Sequence, residues 1–267
     1  MFLSLTGLAI SLAALVWGAD KFIESSSLLA KKLGLSELTI GLTIVALGTS
    51  APEIFVGISS VLNGSEALAM GTIIGSNISN IALIFGVSCI GISLAPSKTS
   101  IIQFIPFIIG TIILGLGLAD LKITKAESWE FLILFAVFLF ITYKWRAPDL
   151  SEVSDEDETK LSSTMLFFSV GLFALIGGSN FAVIHAEQIA IMLEVPELII
   201  GLTIIAIGTS LPELAATISA IIKKKNDMVI GNVIGSNVMN IALVVPIIGF
   251  FSDVSFDSTI LSRDYLV

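Results

Sequence analysis

Charge is scarce in this chain. Lysine, arginine, aspartate and glutamate make up 13% of its 267 residues, against about 25% in soluble domains. The basic residues suggest no nucleic-acid partner. One cysteine, Cys89, excludes an internal disulfide framework and reads as a small buried apolar residue. The opening MFLSLTGLAISLAALVWGAD lacks the basic start of a cleaved signal peptide, so it reads as a spanning helix. No lysine or arginine falls mid-way along any apolar run. The net charge of −9 draws heavily on one stretch, APDLSEVSDEDETK (147–160). That stretch lacks the spaced ligands and glycine of an EF-hand, and reads as a solvated linker.

Apolar residues are abundant. They form 55% of the chain, and the mean hydropathy is +1.01. Runs near the ~20 residues needed to cross a bilayer recur along the whole length. This predicts an all-α polytopic membrane protein with lipid around it, and the pattern does not fit the short alternating segments of an outer-membrane barrel. Eight spans are expected, at 2–30, 37–62, 67–93, 100–119, 127–145, 162–192, 197–222 and 227–250.

The chain repeats itself at an offset of 160 residues. ELTIGLTIVALGTSAPEIFVGISS (37–60) falls on ELIIGLTIIAIGTSLPELAATISA (197–220), and GTIIGSNISNIAL (71–83) falls on GNVIGSNVMNIAL (231–243). From 37 to 83, 24 of 47 positions are identical. The offset covers five spans, an odd number, so the second copy enters the membrane from the opposite side. Inverted repeats of this kind are common in secondary transporters. The expected organisation is a first repeat over 1–146, an acidic loop over 147–161, and a second repeat over 162–267. The first copy has five spans. The second has three and a short tail, so two helices are expected to be missing, supplied by another segment or chain.

Lysine and arginine set the expected orientation. Ten of the thirteen (Lys21, Lys31, Lys32, Lys98, Lys144, Arg146, Lys160, Lys223, Lys224 and Lys225) lie opposite the N-terminus, and Lys122, Lys125 and Arg263 lie on its side. The N-terminus is expected outside the cell membrane, with the acidic loop in the cytoplasm.

The repeated motif GTSxPE puts a helix breaker and a charge within hydrocarbon. Pro52 has no amide hydrogen and crowds the carbonyl of Gly48, so the helix around 46–52 should bend and leave carbonyls unpaired. Each costs several kcal/mol in lipid unless something satisfies it. Glu53, one residue on, is expensive by ~2.5 kcal/mol or more if ionised at a helix centre. With no basic partner mid-span, it needs a proton or a metal cation. Gly208, Thr209, Ser210, Pro212 and Glu213 repeat the pattern. Two carboxylates with the hydroxyls of Thr49, Ser50, Thr209 and Ser210 form an all-oxygen set that suits calcium or sodium. GSNxxN supplies more: Ser76 with Asn80, and Ser236 with Asn240, share one helical face, and Asn77 and Asn237 brace the broken helices. Gly71-xxx-Gly75 and Gly231-xxx-Gly235 read as helix-packing patterns. Asp20 and His185 read as peripheral polar residues.

GLTIVALGTSAPE with GSNISN, repeated as GLTIIAIGTSLPE with GSNVMN, resembles the two alpha repeats of sodium/calcium exchangers in the cation/calcium antiporter superfamily, prokaryotic in type because no large regulatory loop is present. The resemblance implies ten helices in inverted halves, with the second, third, seventh and eighth forming the ion-binding core. It implies sodium moving inward to drive calcium outward by alternating access, with the first and sixth helices as a sliding gate. Its ligands map onto Glu53, Glu213, Thr49, Ser50, Thr209, Ser210, Ser76 and Ser236, onto the carbonyls of Ala46 and Ala206, and onto Asn80 and Asn240. Some relatives carry aspartate where this chain has Asn240. The implied activity is transport rather than catalysis, with no cofactor, and with calcium and sodium as cargo. Calcium/proton exchange and an ion-binding fragment are the alternatives.

Overall fold

The computed structural model describes residues 1–90, 101–145, 160–195, 206–251, 255–258 and 260–266. The described residues are helical. They form α1 (Phe2–Lys32), α2 (Glu37–Thr49), α3 (Ala51–Leu62), α4 (Glu66–Ser88), α5 (Ile101–Asp120), α6 (Lys125–Lys144), α7 (Leu161–Met192), α8 (Ala206–Thr209), α9 (Leu211–Ile222), α10 (Asn226–Phe251) and α11 (Ile260–Tyr265). Among them, α1, α4, α5, α6, α7 and α10 are each long and apolar enough to cross a membrane, and α2 with α3 forms one further bent span. α9 is a shorter apolar helix. The first nine residues of the expected seventh span, the tail of the third and most of the acidic loop lie outside the described residues.

Local chemistry sets the helix ends. Ser36 caps α2 by accepting from Thr39 N at 3.1 Å. Thr124 and Glu127 form a reciprocal capping box at the start of α6. Gly34 follows α1 and Gly64 follows α3, with φ of +63° and +71°. The equivalent positions in the second repeat, Glu194 and Lys224, also take positive φ, at 58° each. The repeats therefore turn the chain alike, although only the first uses glycine there.

α1 and α7 run antiparallel in contact along their length. Ser4 Oγ donates to Gln188 Oε1 at 3.2 Å near one end, and the Phe22 and Phe168 rings lie 5.0 Å apart near the other. Small residues let the backbones meet: a Cβ on Gly18 would lie 2.4 Å from Leu175 N, and one on Gly178 would lie 2.5 Å from Leu15 N. These two contacts are the same contact exchanged by the 160-residue offset. The repeat is thus a pseudo-two-fold in three dimensions, and equivalent helices point in opposite directions.

α10 is the central helix. Its apolar window is 78% buried, whereas the windows of the other single-helix spans are 28–39% buried. It packs backbone to backbone on α2, where a Cβ on Gly231 would lie 2.7 Å from Leu38 O and one on Gly235 would lie 2.5 Å from Leu42 O. The packing expected of that glycine pair is therefore present. Large apolar side chains such as Phe55, Leu116 and Phe173 are 70% exposed or more, as suits surfaces facing lipid. Cys89 is exposed, contrary to its reading as buried: it lies at the end of α4, beyond the packed core.

Candidate cation site

Both GTSxPE motifs break their helix at the serine. Ser50 has φ −82° and ψ 3°, and Ser210 has φ −90° and ψ 7°. The axis turns by 49° between α2 and α3. Pro52 and Pro212 then sit in the first turn of the next helix, where a missing amide hydrogen costs nothing. Glu53 and Glu213 share that turn, so the positive end of the helix dipole faces each carboxylate. Pro212 also frees the Gly208 carbonyl, which accepts from Ser179 Oγ of α7 at 3.1 Å.

Most of the predicted residues are joined by contacts. Glu53 and Glu213 are each 1% exposed, and Glu53 lies within reach of the Glu213 charge. Ser50 Oγ donates to Glu213 Oε1 at 2.9 Å, and Ser76 Oγ donates to Glu53 Oε1 at 3.5 Å. Thr49 Oγ1 lies 3.4 Å from Ser236 Oγ and 3.3 Å from the Ala46 carbonyl. That carbonyl also accepts from Ser50 N at 2.9 Å. Thr209 is half-buried in α8, and Ala206 begins that helix.

Four asparagines cross between α4 and α10. Asn240 Nδ2 donates to Asn77 Oδ1 at 3.2 Å, and Asn80 Nδ2 donates to Asn237 Oδ1 at 3.5 Å, again one contact exchanged by the repeat. Asn240 also donates to Ser76 Oγ at 3.1 Å. Asn77 and Asn237 therefore tie α4 to α10 rather than brace the broken helices. Asn80 and Asn240 fall within π-helical turns, Ser79–Phe85 and Asn240–Val244, a feature frequent at functional sites.

Among the described residues, buried polar atoms without a hydrogen bond include Ser26 Oγ, Thr142 Oγ1, Ser219 Oγ and the Gln103 amide outside the predicted site; those on the predicted site residues are chemically uniform. Glu53 Oε2, Glu213 Oε2, Asn80 Oδ1, Asn240 Oδ1 and Ser210 Oγ are buried without a hydrogen bond. All are oxygens able to accept. Buried polar groups go unpaired rarely and at a cost of ~1–3 kcal/mol each. Five in one place describe a cage short of positive charge. Among the described residues no lysine or arginine pairs with either glutamate; the ion pairs of Lys21 with Glu24, Lys223 with Asp20 and Lys225 with Glu37 lie elsewhere. Nor do three or more acidic, histidine or cysteine side chains gather among the described residues, so the cage's remaining donors are neutral.

Sequence reading missed Asn232 and Thr217. Asn232 Oδ1 accepts from Thr49 Oγ1 at 3.0 Å, and its Nδ2 donates to Thr217 Oγ1 at 3.2 Å. Their spacing was the available signal: Asn232 stands one turn before Ser236, and Thr217 one turn after Glu213.

This duplicated cage has known relatives. The sodium/calcium exchanger protein family matches residues 3–144 and 163–267. The chain belongs to that family, whose members are transporters and not enzymes. A protein of Alkalimonas amylolytica named as an antiporter, CaxA, is 38% identical, with 97% of this chain and 84% of that protein covered. The sodium/calcium exchanger MaX1 of Methanosarcina acetivorans is 30% identical over 93% of this chain and 83% of its own length. The solved sodium-calcium exchanger NCX_Mj, soaked with 10 mM Na+ and zero Ca2+, matches with a TM-score of 0.83 at 26% identity, covering 99% of this chain and 88% of that one.

Proposed function

We propose that this chain is a secondary antiporter that exchanges sodium for calcium by alternating access at a mid-membrane site built on Glu53 and Glu213. The observation that carries the reading is the set of five buried, unpartnered acceptor oxygens on the two broken helices and on α4 and α10. Calcium takes six to eight oxygens in flexible geometry, and sodium accepts the same donors. Thr49, Ser50, Ser76, Ser210, Ser236, Asn80 and Asn240 complete the oxygen set, with Thr209 and the carbonyls of Ala46 and Ala206 beside it. Family membership and the likeness to NCX_Mj support the same reading.

The organisation proposed is an inverted pair, 1–146 and 162–267, joined by a cytoplasmic acidic loop at 147–161. It crosses the cell membrane eight times, with the N-terminus outside. Coupling follows from electrostatics. Without a cation the cage holds two carboxylates facing each other in a medium of low dielectric. Only loaded states close cheaply, so neither ion crosses back without exchange.

The test is flux in inside-out vesicles. An imposed sodium gradient should drive uptake of radiolabelled calcium, and Glu53→Gln or Glu213→Gln should abolish it. Unchanged flux in both variants would sink the site. Uptake driven by a pH gradient without sodium would point instead to calcium/proton exchange on the same carboxylates.

A further inference from the structure

Asn232 touches the cage yet belongs to neither repeated motif. It is 2% exposed, and its partners Thr49 and Thr217 are 0% and 1% exposed. An amide side chain has one donating and one accepting end. With its nitrogen donating to Thr217 Oγ1 at 3.2 Å, its oxygen faces Thr49 Oγ1 at 3.0 Å. That contact is shorter than the one from Thr49 to the Ala46 carbonyl, at 3.3 Å; the Glu213 carboxylate is a third acceptor for the same proton, and a cation bound there removes it from the competition. A hydroxyl carries one proton and two lone pairs. Committing the proton to Asn232 leaves the Thr49 lone pairs free as acceptors toward the cage, on the side of Ser236 Oγ.

The other half of the molecule cannot copy this arrangement. Thr72 stands at the position equivalent to Asn232, is only half-buried, and donates to its own helix at Leu68 O, 2.9 Å away. Gly57 stands at the position equivalent to Thr217. A Cβ there would lie 2.3 Å from Val244 Cγ1, so the site has no room for a threonine without repacking. The relay therefore exists on one side of the pseudo-two-fold only.

We infer that Asn232, held by Thr217, is a positioning residue that presents the Thr49 oxygen to a bound cation and favours sodium over calcium. The inference rests on the antiport reading above. Attraction to a carboxylate scales with the charge of the ion. Calcium is thus held chiefly by Glu53 and Glu213, whereas sodium depends proportionally more on neutral oxygens held in place. Partners that orient a metal's ligands typically alter affinity by ~10- to 100-fold when removed.

The experiment measures sodium and calcium binding separately by calorimetry on the purified full chain in detergent. Asn232→Ala should raise the half-saturating sodium concentration by about 10-fold and that of calcium by less than about 3-fold. Thr217→Val should move sodium in the same direction, and Thr217→Ser, which keeps the hydroxyl, should restore it. This second pair keeps the test open if Asn232→Ala fails to fold. Equal weakening of both ions, or no change in either, overturns the inference while leaving the antiport reading intact. A parent protein that binds calcium but no sodium overturns it as well. A parent that binds neither ion overturns the antiport reading, and this inference with it.

Discussion

Ser50 of the first broken helix donates to Glu213 of the second, 2.9 Å away, while its counterpart Ser210 has no hydrogen bond at its buried hydroxyl. The cage is built from equivalent parts held in unequal states. Glu213 Oε1 is committed to Ser50 at 2.9 Å while Glu53 Oε1 has only the longer contact from Ser76, at 3.5 Å, and Ser210 is free to receive an ion.

This inequality predicts unequal mutants. Ser50→Ala strips Glu213 of one of its donors and should lower cation-free stability by about 1 kcal/mol. Ser210→Ala removes a hydroxyl that makes no hydrogen bond, and should leave cation-free melting unchanged within about 0.5 kcal/mol. Both should weaken calcium binding. Melting in detergent, with and without calcium, separates the two effects.

The carboxylates should dominate ion-linked stability. A ligand at 100 times its dissociation constant stabilises by about 2.7 kcal/mol. Glu53→Gln or Glu213→Gln should abolish that calcium-dependent rise in melting temperature. Protons compete for the same oxygens: protonation fills the acceptors that calcium needs, so apparent calcium affinity should fall as pH falls. Calcium titrations across pH on the parent check the sign.

Much of this site was legible before any coordinates. The two breaks fall within the GTSxPE motifs because proline and glycine act locally, and the paired glutamates had nowhere to go but toward an ion. Features present in only one repeat were not legible. Comparing halves keeps Ser76 with Ser236 and discards Asn232 against Thr72, although Asn232 holds a cage hydroxyl. The π-helical turns at Asn80 and Asn240 had no sequence mark, since neither carries the proline or glycine that breaks a helix locally. Asp20 read as peripheral, and its partner Lys223 lies too far along the chain for any periodicity to reveal.

That Asp20–Lys223 pair, at 2.7 Å, joins α1 to the end of α9. Lys225 and Ser27 meet on Glu37 Oε1 close by in the chain. If α1 slides past the core during transport, the Asp20–Lys223 link must break. Both side chains are partly exposed, at 46% and 25%, so the pair contributes about 0.2–1 kcal/mol. Asp20→Asn or Lys223→Gln should shift the balance between inward- and outward-open states by about 2- to 5-fold, and the charge swap Asp20→Lys with Lys223→Asp should restore it. Distances between spin labels on α1 and α9 read the shift.

Two turns invite stabilisation. Glu194 and Lys224 hold φ near +58°, where a side chain costs about 1–2 kcal/mol. Gly34 and Gly64 show the unstrained solution at equivalent positions. Lys224→Gly should raise stability by up to about 1 kcal/mol once the glycine's extra unfolded-state freedom is subtracted. Glu194→Gly should do the same. Neither residue touches the cage, so calcium affinity should stay unchanged in the same melting and binding assays.

The α1–α7 contact should resist change at its glycines in a graded way. At Gly178 an added Cβ meets backbone, Leu15 N at 2.5 Å and Ser11 O at 2.9 Å, and backbone cannot move aside without separating the helices. Gly178→Ala should cost about 1–3 kcal/mol. At Gly7 the nearest atoms belong to the His185 ring, a half-buried side chain near the helix ends that can swing away, so Gly7→Ala should cost less. Gly177 has no described atom within 4 Å of an added Cβ, and alanine there gains about 1 kcal/mol of helix propensity. The expected order of melting temperatures is Gly177→Ala highest, then the parent, then Gly7→Ala, with Gly178→Ala lowest. An unchanged Gly178→Ala protein would mean that α1 and α7 do not meet backbone to backbone at Gly178.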